Sequence, residues 1–211
     1  MIADEAAARA FTADFTDSAG MARLERFAEL LAEENKQQNL VSQASLAEVW
    51  RRHIADSAQL LSYVPRGTSG PWIDLGTGAG FPGLVIAILR PEWDIRLIES
   101  RKRRVEWLGR ACSELGLSNC STIGKRLEDV ESVAAGVISA RAFAPMVKLL
   151  ELSQRFSTDA TVWLLPKGRS AAHELRQLAP QTRRTFHVEQ SRTDADSGII
   201  VGGVTTGRDA P

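Results

Sequence analysis

The stretch Asp74-Leu-Gly-Thr-Gly-Ala-Gly-Phe-Pro-Gly83 places four glycines in ten residues, directly after the apolar run Trp72-Ile-Asp-Leu75. Glycine adopts backbone conformations that other residues avoid, and it lets a ligand approach the main chain closely. In an open α/β sheet, ligands bind beyond the carboxyl ends of the strands, at the point where the strand order reverses. The first strand-to-helix turn lies at that point, so we expect a ligand to bind against this backbone.

The composition indicates one folded domain. The chain has 211 residues, of which 44% are hydrophobic and 25% are charged, enough to build a sizeable core without favouring disorder. Lys plus Arg and Asp plus Glu both number 26, which gives a formal net charge of +0. Because no global field attracts nucleic acid or membrane, any basic binding surface must be local.

Cysteine use and hydropathy favour the cytoplasm. Cys112 and Cys120 are the only cysteines, and their spacing does not fit a metal site. The N-terminus is acidic, unlike a signal peptide. No apolar run approaches the ~20 residues that a membrane helix needs. We therefore expect a cytoplasmic protein with reduced thiols, no metal and no membrane partner.

The N-terminal part of the chain is predicted to be helical. Apolar residues recur at helical spacing in residues 22–38, and a second helix is predicted over 45–64 with Ser45 as N-cap and Glu48 as its capping-box partner. A turn-rich segment follows at 66–71. We predict a helical segment over 1–66 that packs on a second unit over 67–207.

From Trp72 onward, short apolar strands alternate with helices, a pattern typical of a mostly parallel sheet that is covered on both faces. The last two strands are joined by a polar turn and are expected to form an antiparallel pair. The final four residues, 208–211, are expected to fray. Strands are predicted at 72–75, 94–100, 120–124, 135–140, 160–166, 184–190 and 198–204, and helices at 82–90, 101–116, 144–156 and 170–178.

The glycines fit two kinds of cofactor. Gly78 to Gly83 matches the dinucleotide pattern G-x-G-x-x-G, a weak signal alone. The register closest to the strand is Gly76-x-Gly78-x-Gly80, which resembles motif I of S-adenosylmethionine-dependent methyltransferases. Asp74 is then expected to hold the amino-acid end of the cofactor, directly or through water. Glu99, at the end of the second strand, does not discriminate, since a carboxylate there can accept both ribose hydroxyls of either cofactor.

Five segments together resemble one family. They are Asn39-Leu40, Arg52-His-Ile-Ala-Asp-Ser57, Asp74 to Gly83, Ser139-Ala-Arg-Ala-Phe143 and Lys167-Gly168. In this order they are similar to the bacterial 16S ribosomal RNA guanine-N7 methyltransferases, also called glucose-inhibited division protein B. The resemblance runs from about residue 20 to 204. It implies a Rossmann-like class I S-adenosylmethionine-dependent methyltransferase with a mostly parallel seven-stranded α/β sheet and an N-terminal helical extension.

The resemblance also implies the site residues. Arg141, after the fourth strand, is expected to face both cofactor and substrate as a positioning residue. Glu99 departs from the family, where Asp is commoner, and so extends the ribose acceptor by one methylene. The cofactor-binding residues expected are Asp74, Gly76, Gly78, Gly80, Phe81, Glu99, Leu127, Glu128 and Arg141.

The chemistry of guanine N7 needs no general base, because the nitrogen has a lone pair and no proton. Catalysis then consists of aligning the two reactants. The fourth strand accordingly ends in Ser-Ala-Arg-Ala-Phe, without the Asn/Asp-Pro-Pro-Tyr motif of amino-group methylation. Three alternatives stay open at this stage: a methyltransferase of another RNA base or a small molecule, an NAD-dependent oxidoreductase, and a non-catalytic RNA-binding module.

Local positive charge suggests where RNA binds. Arg101-Lys-Arg-Arg104 begins a helix, where the helix dipole disfavours cations, and this favours a phosphate partner. His53 and Asp56 lie three residues apart on one predicted helix. Either they contact RNA or close over the cofactor, or they form a capping and packing network between the helices and the domain, and the sequence favours neither. We expect a monomer that recognises 16S ribosomal RNA by shape, within a small-subunit particle. The candidate substrate-binding residues are Arg52, His53, Arg101, Lys102, Arg103 and Lys167.

Overall fold

The computed structural model describes residues 1–203. The frayed end predicted at 208–211, the end of the last predicted strand at Val204 and the predicted domain end at 207 all lie outside the described residues.

Three helices open the chain, and their ends follow from their capping residues. Helices α1 and α2 each begin after an aspartate whose carboxylate accepts a backbone N–H, Asp4 from Ala7 and Asp17 from Gly20. Asn39 ends α2 in the left-handed conformation, with φ of 46°. The bounds are α1 Glu5–Ala13, α2 Ser18–Gln38 and α3 Gln43–Leu46.

The single helix predicted over 45–64 is wrong. Ser42, not Ser45, is the N-cap of α3, and its hydroxyl accepts the N–H of Ser45 at 3.1 Å. Glu48 pairs with Arg51 at 2.6 Å and forms no capping box. The chain then continues as a π-helix at Trp50–Ala55, the short helix α4 at Asp56–Ala58 and a 3₁₀ helix at Gln59–Tyr63.

A side chain distant in sequence accepts hydrogen bonds from the backbone of the π-helix. The carboxylate of Glu5, in α1, accepts the backbone N–H groups of Trp50 and Arg51 at 3.0 and 2.7 Å. These two amides are therefore satisfied without the i−4 carbonyls of an α-helix. Local periodicity carries no information about an acceptor supplied by another helix.

The remaining chain forms a seven-stranded sheet in the order β3-β2-β1-β4-β5-β7-β6. The predicted antiparallel pair, β6 and β7, is confirmed, and β7 also pairs antiparallel with β5. All other pairs are parallel. The strands are β1 Trp72–Leu75, β2 Ile95–Ile98, β3 Cys120–Ile123, β4 Val137–Ala140, β5 Val162–Gly168, β6 Phe186–Gln190 and β7 Gly198–Gly202, and the helices are α5 Gly83–Leu89, α6 Lys102–Glu114, α7 Met146–Ser153, α8 Ala171–Arg176 and α9 Pro180–Arg183.

Two apolar cores lie on opposite faces of the sheet. Because strand side chains alternate between faces, Trp72 enters one core while Ile73 and Leu75 enter the other. The N-terminal helices pack into the Trp72 side, where Phe27 is fully buried in the same cluster as Leu84 of α5. The domain boundary at 66/67 stays a prediction, although one core extends across it. Among residues 1–203, no helix combines the length and apolarity required to cross a membrane.

Candidate functional site

The glycine-rich turn lies at the carboxyl end of β1, which pairs with β2 on one side and β4 on the other. This is the point where the strand order reverses. Gly76, Gly78 and Gly80 all have positive φ, at 65°, 61° and 110°. The N–H groups of Gly76 and Thr77 both donate to the carbonyl of Ile98 in β2, so the sheet itself fixes the start of the turn.

Asp74 lies beneath this turn, with no exposed surface. Its Oδ1 accepts from the Ser139 hydroxyl at 2.8 Å, and its Oδ2 accepts from the Thr77 hydroxyl at 2.8 Å and from the Gly83 N–H at 3.0 Å. Trp72 in turn donates to Ser139 at 2.8 Å. Burial raises the pKa of Asp74 to about 6, against the lowering effect of these hydrogen bonds. Its carboxyl group therefore joins β1, the turn, β4 and the start of α5.

Glu99 follows β2 and faces the same turn. Its Oε2 accepts the N–H of Gly78 at 3.1 Å, and its Oε1 accepts those of Ser100 and Arg101 at 2.8 and 2.9 Å. The Arg104 guanidinium lies 3.7 Å from Oε2. The carboxylate is thus held beside the backbone of the glycine turn, where a ligand hydroxyl can still reach its remaining lone pair.

An aromatic stack borders the turn. The Phe81 ring is buried, and it stacks on the His53 ring with centroids 4.7 Å apart and planes 17° apart. The Arg141 guanidinium lies 5.9 Å from the Phe81 centroid. The π-helix therefore contacts the glycine turn directly through His53.

His53 is buried, and neither of its ring nitrogens has a hydrogen-bond partner within residues 1–203. Burial, with the positive charges of Arg141 and Arg52, lowers the pKa of His53 to about 3. The imidazole is therefore neutral at physiological pH and packs as an aromatic ring. It is not placed as a surface contact for RNA.

Arg141 directly follows β4 and spans the space between the turn and the π-helix. Its Nη2 donates to the carbonyl of Arg52 at 3.3 Å, and its Nη1 lies 3.8 Å from Asp56 Oδ2. Nη1 is buried and has no hydrogen-bond partner in the described part of the chain. Arg141 thus retains a donor that a ligand could satisfy.

Leu127 and Glu128 lie in a 3₁₀ turn, Leu127–Asp129, which follows β3. Leu127 is buried and Glu128 is exposed. The carbonyl of Leu127 accepts a hydrogen bond from Arg155, which holds the turn against the segment after α7. That Leu127 and Glu128 border the adenine of the cofactor, as the family resemblance implies, stays a prediction.

Sequence reasoning missed the contribution of Phe143. A Cβ built on Gly76 would lie 2.5 Å from the Phe143 ring, so that ring packs directly on the glycine turn. Ala142 has φ of 52°, an uncommon conformation for a residue other than glycine, and this turns the chain between Arg141 and Phe143. The motif Ser-Ala-Arg-Ala-Phe held the signal, but its spacing alone does not reveal the contact with Gly76.

A cavity of about 760 Å³ lies beyond the carboxyl ends of β4 and β5. Phe143 and Arg141 separate this cavity from the glycine turn, and a cavity of this size can hold a nucleoside. Of the predicted substrate-binding residues, Arg52 and Lys167 line it, whereas His53, Arg101, Lys102 and Arg103 do not. The residues that matter for its chemistry are Arg52, Asp56, Arg141, Phe143, Lys167 and Asp194.

The cations of the cavity are paired. Lys167, whose side chain is only 5% exposed, donates to the Ala144 carbonyl at 2.8 Å and lies 2.9 Å from Glu174. Arg52 pairs with Asp194 at 2.9 Å. The cavity is therefore close to neutral, and Lys167 is held within the protein instead of projecting from its surface.

The basic start of α6 lies apart from the cavity. Arg101, Lys102 and Arg103 are exposed, and Arg103 donates to the carbonyl of Gln37 at 3.0 Å. Arg104 turns inward to Glu99. Among residues 1–203, no group of three or more His, Cys, Asp or Glu side chains is arranged to hold a metal ion.

The strand order and the glycine turn define a class I S-adenosylmethionine-dependent methyltransferase fold. The chain is similar in structure to an S-adenosylmethionine-dependent methyltransferase from Aquifex aeolicus (TM-score 0.55, 14% identity, covering 79% of this chain and 95% of that one). It is also similar to a variant of MtNAS in complex with S-adenosylmethionine (TM-score 0.53, 14% identity, covering 86% and 74%). These likenesses concern the fold alone.

The particular family follows from sequence. The family model described as rRNA small subunit methyltransferase G matches residues 20–195. The chain is 58% identical to the ribosomal RNA small subunit methyltransferase G of Erythrobacter litoralis, over 96% of this chain and 97% of that one. It is 51% identical to the protein of the same name from Sphingopyxis alaskensis, over 100% and 90%. The chain belongs to the rRNA small subunit methyltransferase G family, which confirms the resemblance and sets aside the oxidoreductase alternative.

Proposed function

We propose that the protein transfers the methyl group of S-adenosylmethionine to N7 of a guanine in 16S ribosomal RNA. The observation that carries this proposal is the junction at Arg141 and Phe143, where a cofactor turn of the methyltransferase fold adjoins a cavity of nucleoside size. Membership of a family named for methylation of small-subunit ribosomal RNA supports the class of substrate.

The cofactor binds against the glycine turn in this proposal. Gly76, Gly78 and Gly80 offer their backbone, Phe81 its aromatic wall and Glu99 its acceptor for the ribose hydroxyls. Leu127 and Glu128 border the adenine, and Arg141 lies between cofactor and substrate. Asp74 acts through the turn that it supports, since both of its oxygens already accept hydrogen bonds from the protein.

The reaction is a direct displacement. The N7 lone pair forms the new N–C bond, the S–C bond of the sulfonium breaks, and S-adenosylhomocysteine leaves with that electron pair. Guanine gains a positive charge in this step. Proton transfer plays no part in this step, so the neutral, buried His53 serves as packing for Phe81 and not as a base.

The proposed partner is 16S ribosomal RNA within a small-subunit particle, bound by a monomer in the cytoplasm. The exposed Arg101, Lys102 and Arg103 are the proposed phosphate contacts, since positive charge at a helix N-terminus is unfavourable without an anion. Arg52 and Lys167 are proposed to contribute to RNA binding as residues that line the cavity.

The test is radiolabelled methyl transfer to small subunits that lack this modification and to free 16S ribosomal RNA. The expected product is 7-methylguanosine at one position, identified by mass spectrometry of the nucleosides. Methylation of another base, or of a small molecule only, would replace this proposal with that alternative. Arg141→Lys serves as the low-activity control, since it retains charge but loses the planar pair of donors.

A further inference from the structure

Within residues 1–203, three carboxylates line the 760 Å³ cavity, and one of them has an oxygen that accepts no hydrogen bond from these residues. In Asp194, Oδ2 accepts from Arg52 and Oδ1 from the N–H of Asp196. In Glu174, Oε2 accepts from Met146 N–H and pairs with Lys167, while Oε1 accepts from Ser170.

Asp56 differs from both. Its Oδ1 accepts from Gln59 at 2.9 Å and from Thr193 at 2.8 Å, which fixes the orientation of the carboxyl group. Its Oδ2 accepts no hydrogen bond from residues 1–203, and the Arg141 guanidinium lies 3.8 Å from it, beyond hydrogen-bond distance. The nearest guanidinium nitrogen, Nη1, is itself buried without a partner within the described residues. An unused donor and an unused acceptor therefore stand side by side at the cavity wall.

This pair is complementary to one edge of guanine. Guanine carries the O6 acceptor next to the N1–H donor, with the N2 amino donor beyond it, whereas adenine has a donor at the O6 position and an acceptor at N1. On the purine, O6 lies beside N7, so a base that enters the cavity with N7 towards the glycine turn can place O6 at Arg141 and the adjoining N1–H at Asp56. The near-neutral cavity also suits an uncharged base better than a phosphate.

Building on the proposed function, we infer that Asp56 Oδ2 accepts the N1–H and N2–H groups of the target guanine while Arg141 donates to O6. Asp56 is then the residue that selects guanine. Adenine is rejected because it would face Arg141 with a donor and Asp56 with an acceptor.

The test compares small-subunit particles reconstituted with guanosine or inosine at the methylated position. Inosine retains O6 and N1–H but lacks the N2 amino group. For the wild-type enzyme we expect kcat/KM to fall about tenfold or more with inosine, as for loss of a hydrogen bond to a charged group. In Asp56→Asn, the amide oxygen stays with Gln59 and Thr193, so the NH₂ group faces guanine donors. Activity on guanosine should fall at least tenfold, and the guanosine-to-inosine ratio should approach one.

Asp194→Asn is the matched control, because it changes a carboxylate of the same cavity whose oxygens are both occupied. It should keep the wild-type guanosine-to-inosine ratio. Calorimetric affinity for S-adenosylmethionine should stay within about twofold of wild type in Asp56→Asn, since Asp56 does not touch the glycine turn.

Two results overturn the inference: equal wild-type activity on guanosine and inosine, or a wild-type ratio in Asp56→Asn. The comparison of guanosine with inosine uses the wild-type protein, so it tests the inference even if the Asp56→Asn variant does not fold. Failure of the proposed function looks different, because the wild-type enzyme then makes no 7-methylguanosine on the guanosine particle.

Discussion

At the scale of single residues, the glycine turn is the proposed cofactor site, and its positive φ values are ones that other residues avoid. Gly78 is informative because its φ is 61°, while a Cβ there would lie 3.5 Å from Arg104, an ordinary contact distance. Strain, not a clash, should therefore dominate the effect of a substitution at this position.

Gly78→Val should weaken S-adenosylmethionine binding at least tenfold, or over ~1.4 kcal/mol, because a β-branched residue disfavours positive φ and moves the N–H that Glu99 accepts. The fold should survive. Calorimetry measures the affinity, and Gly109→Val is the matched control, since Gly109 has negative φ and open space around it. If Gly78→Val binds S-adenosylmethionine with wild-type affinity, this turn is not part of the cofactor-binding site.

Asp74 should make stability depend on pH. Its folded pKa, about 6, lies above its ordinary value of 3.8, so the folded state binds more protons between these values. The stability contributed by the protonated form is present below pH 3.8 and is lost as the pH rises through 6. Relative to Asp74→Asn, wild type should lose up to about 3 kcal/mol of unfolding free energy between pH 4 and pH 7.

Urea unfolding of both proteins across that pH range measures this difference. Asp159→Asn, at an exposed carboxylate, gives the baseline for the same chemical change at the surface. A constant difference between wild type and Asp74→Asn would show that the buried carboxyl group does not change its protonation.

His53 should not control the rate of methyl transfer. Because its pKa is lowered to about 3, the single-turnover rate should stay nearly flat between about pH 6.5 and 8.5. His53→Ala should lower the rate by loosening Phe81 and leave the shape of the pH profile unchanged. A rate that follows a histidine-like titration, and loses it in His53→Ala, would contradict the base-free mechanism.

At the scale of elements, the start of α6 presents Arg101 and Lys102 to solvent, and Lys102 lies 3.9 Å from Glu106. The helix packs near the β3 edge of the sheet. Phosphate contacts at these two residues would release condensed counterions when RNA binds.

Neutralising both residues, in Arg101→Gln with Lys102→Gln, should reduce the slope of log K against log salt by roughly 1 to 1.5 for a single-stranded or loop target. RNA binding across a salt series measures it. The matched control, Arg183→Gln with Arg184→Gln, changes two cations at α9, beside the opposite edge of the sheet. A slope that is unchanged in the α6 variant would identify its cluster as a solvated helix face.

Some elements could be predicted from the sequence and others could not. The seven strands and the glycine turn were predictable, because alternation and glycine spacing are local signals. The π-helix was not predictable, since two of its amides, those of Trp50 and Arg51, donate to Glu5 in another helix. The cavity was not either, because Asp56, Arg141, Lys167 and Asp194 come together only through the sheet order.

At the scale of the whole molecule, the N-terminal helices and the sheet share one core. Phe27 stacks near Trp107 of α6, with ring centroids 6.5 Å apart, and packs in the same cluster as Leu84. Splitting the chain at the predicted boundary of 66/67 would expose this surface on both parts.

We therefore expect a single unfolding transition in urea. Far-UV circular dichroism and tryptophan fluorescence should give coincident curves, because cooperative loss of one core affects both signals. S-adenosylmethionine at about 100 times its Kd should raise the free energy of unfolding by about 2.7 kcal/mol. Two separated transitions would instead establish that the helical segment folds independently.

The cavity is closed by contacts between distant parts of the chain. Arg52 pairs with Asp194, 142 residues later, and Asp56 accepts from Thr193, 137 residues later. On a translating ribosome, at about 5–20 residues per second, the π-helix emerges roughly ten seconds before the loop that completes its wall. The nascent chain can thus form its cofactor turn while its substrate wall is still missing. An enzyme whose proposed substrate is part of the ribosome itself would acquire a complete active site only after Thr193 and Asp194 have been synthesised.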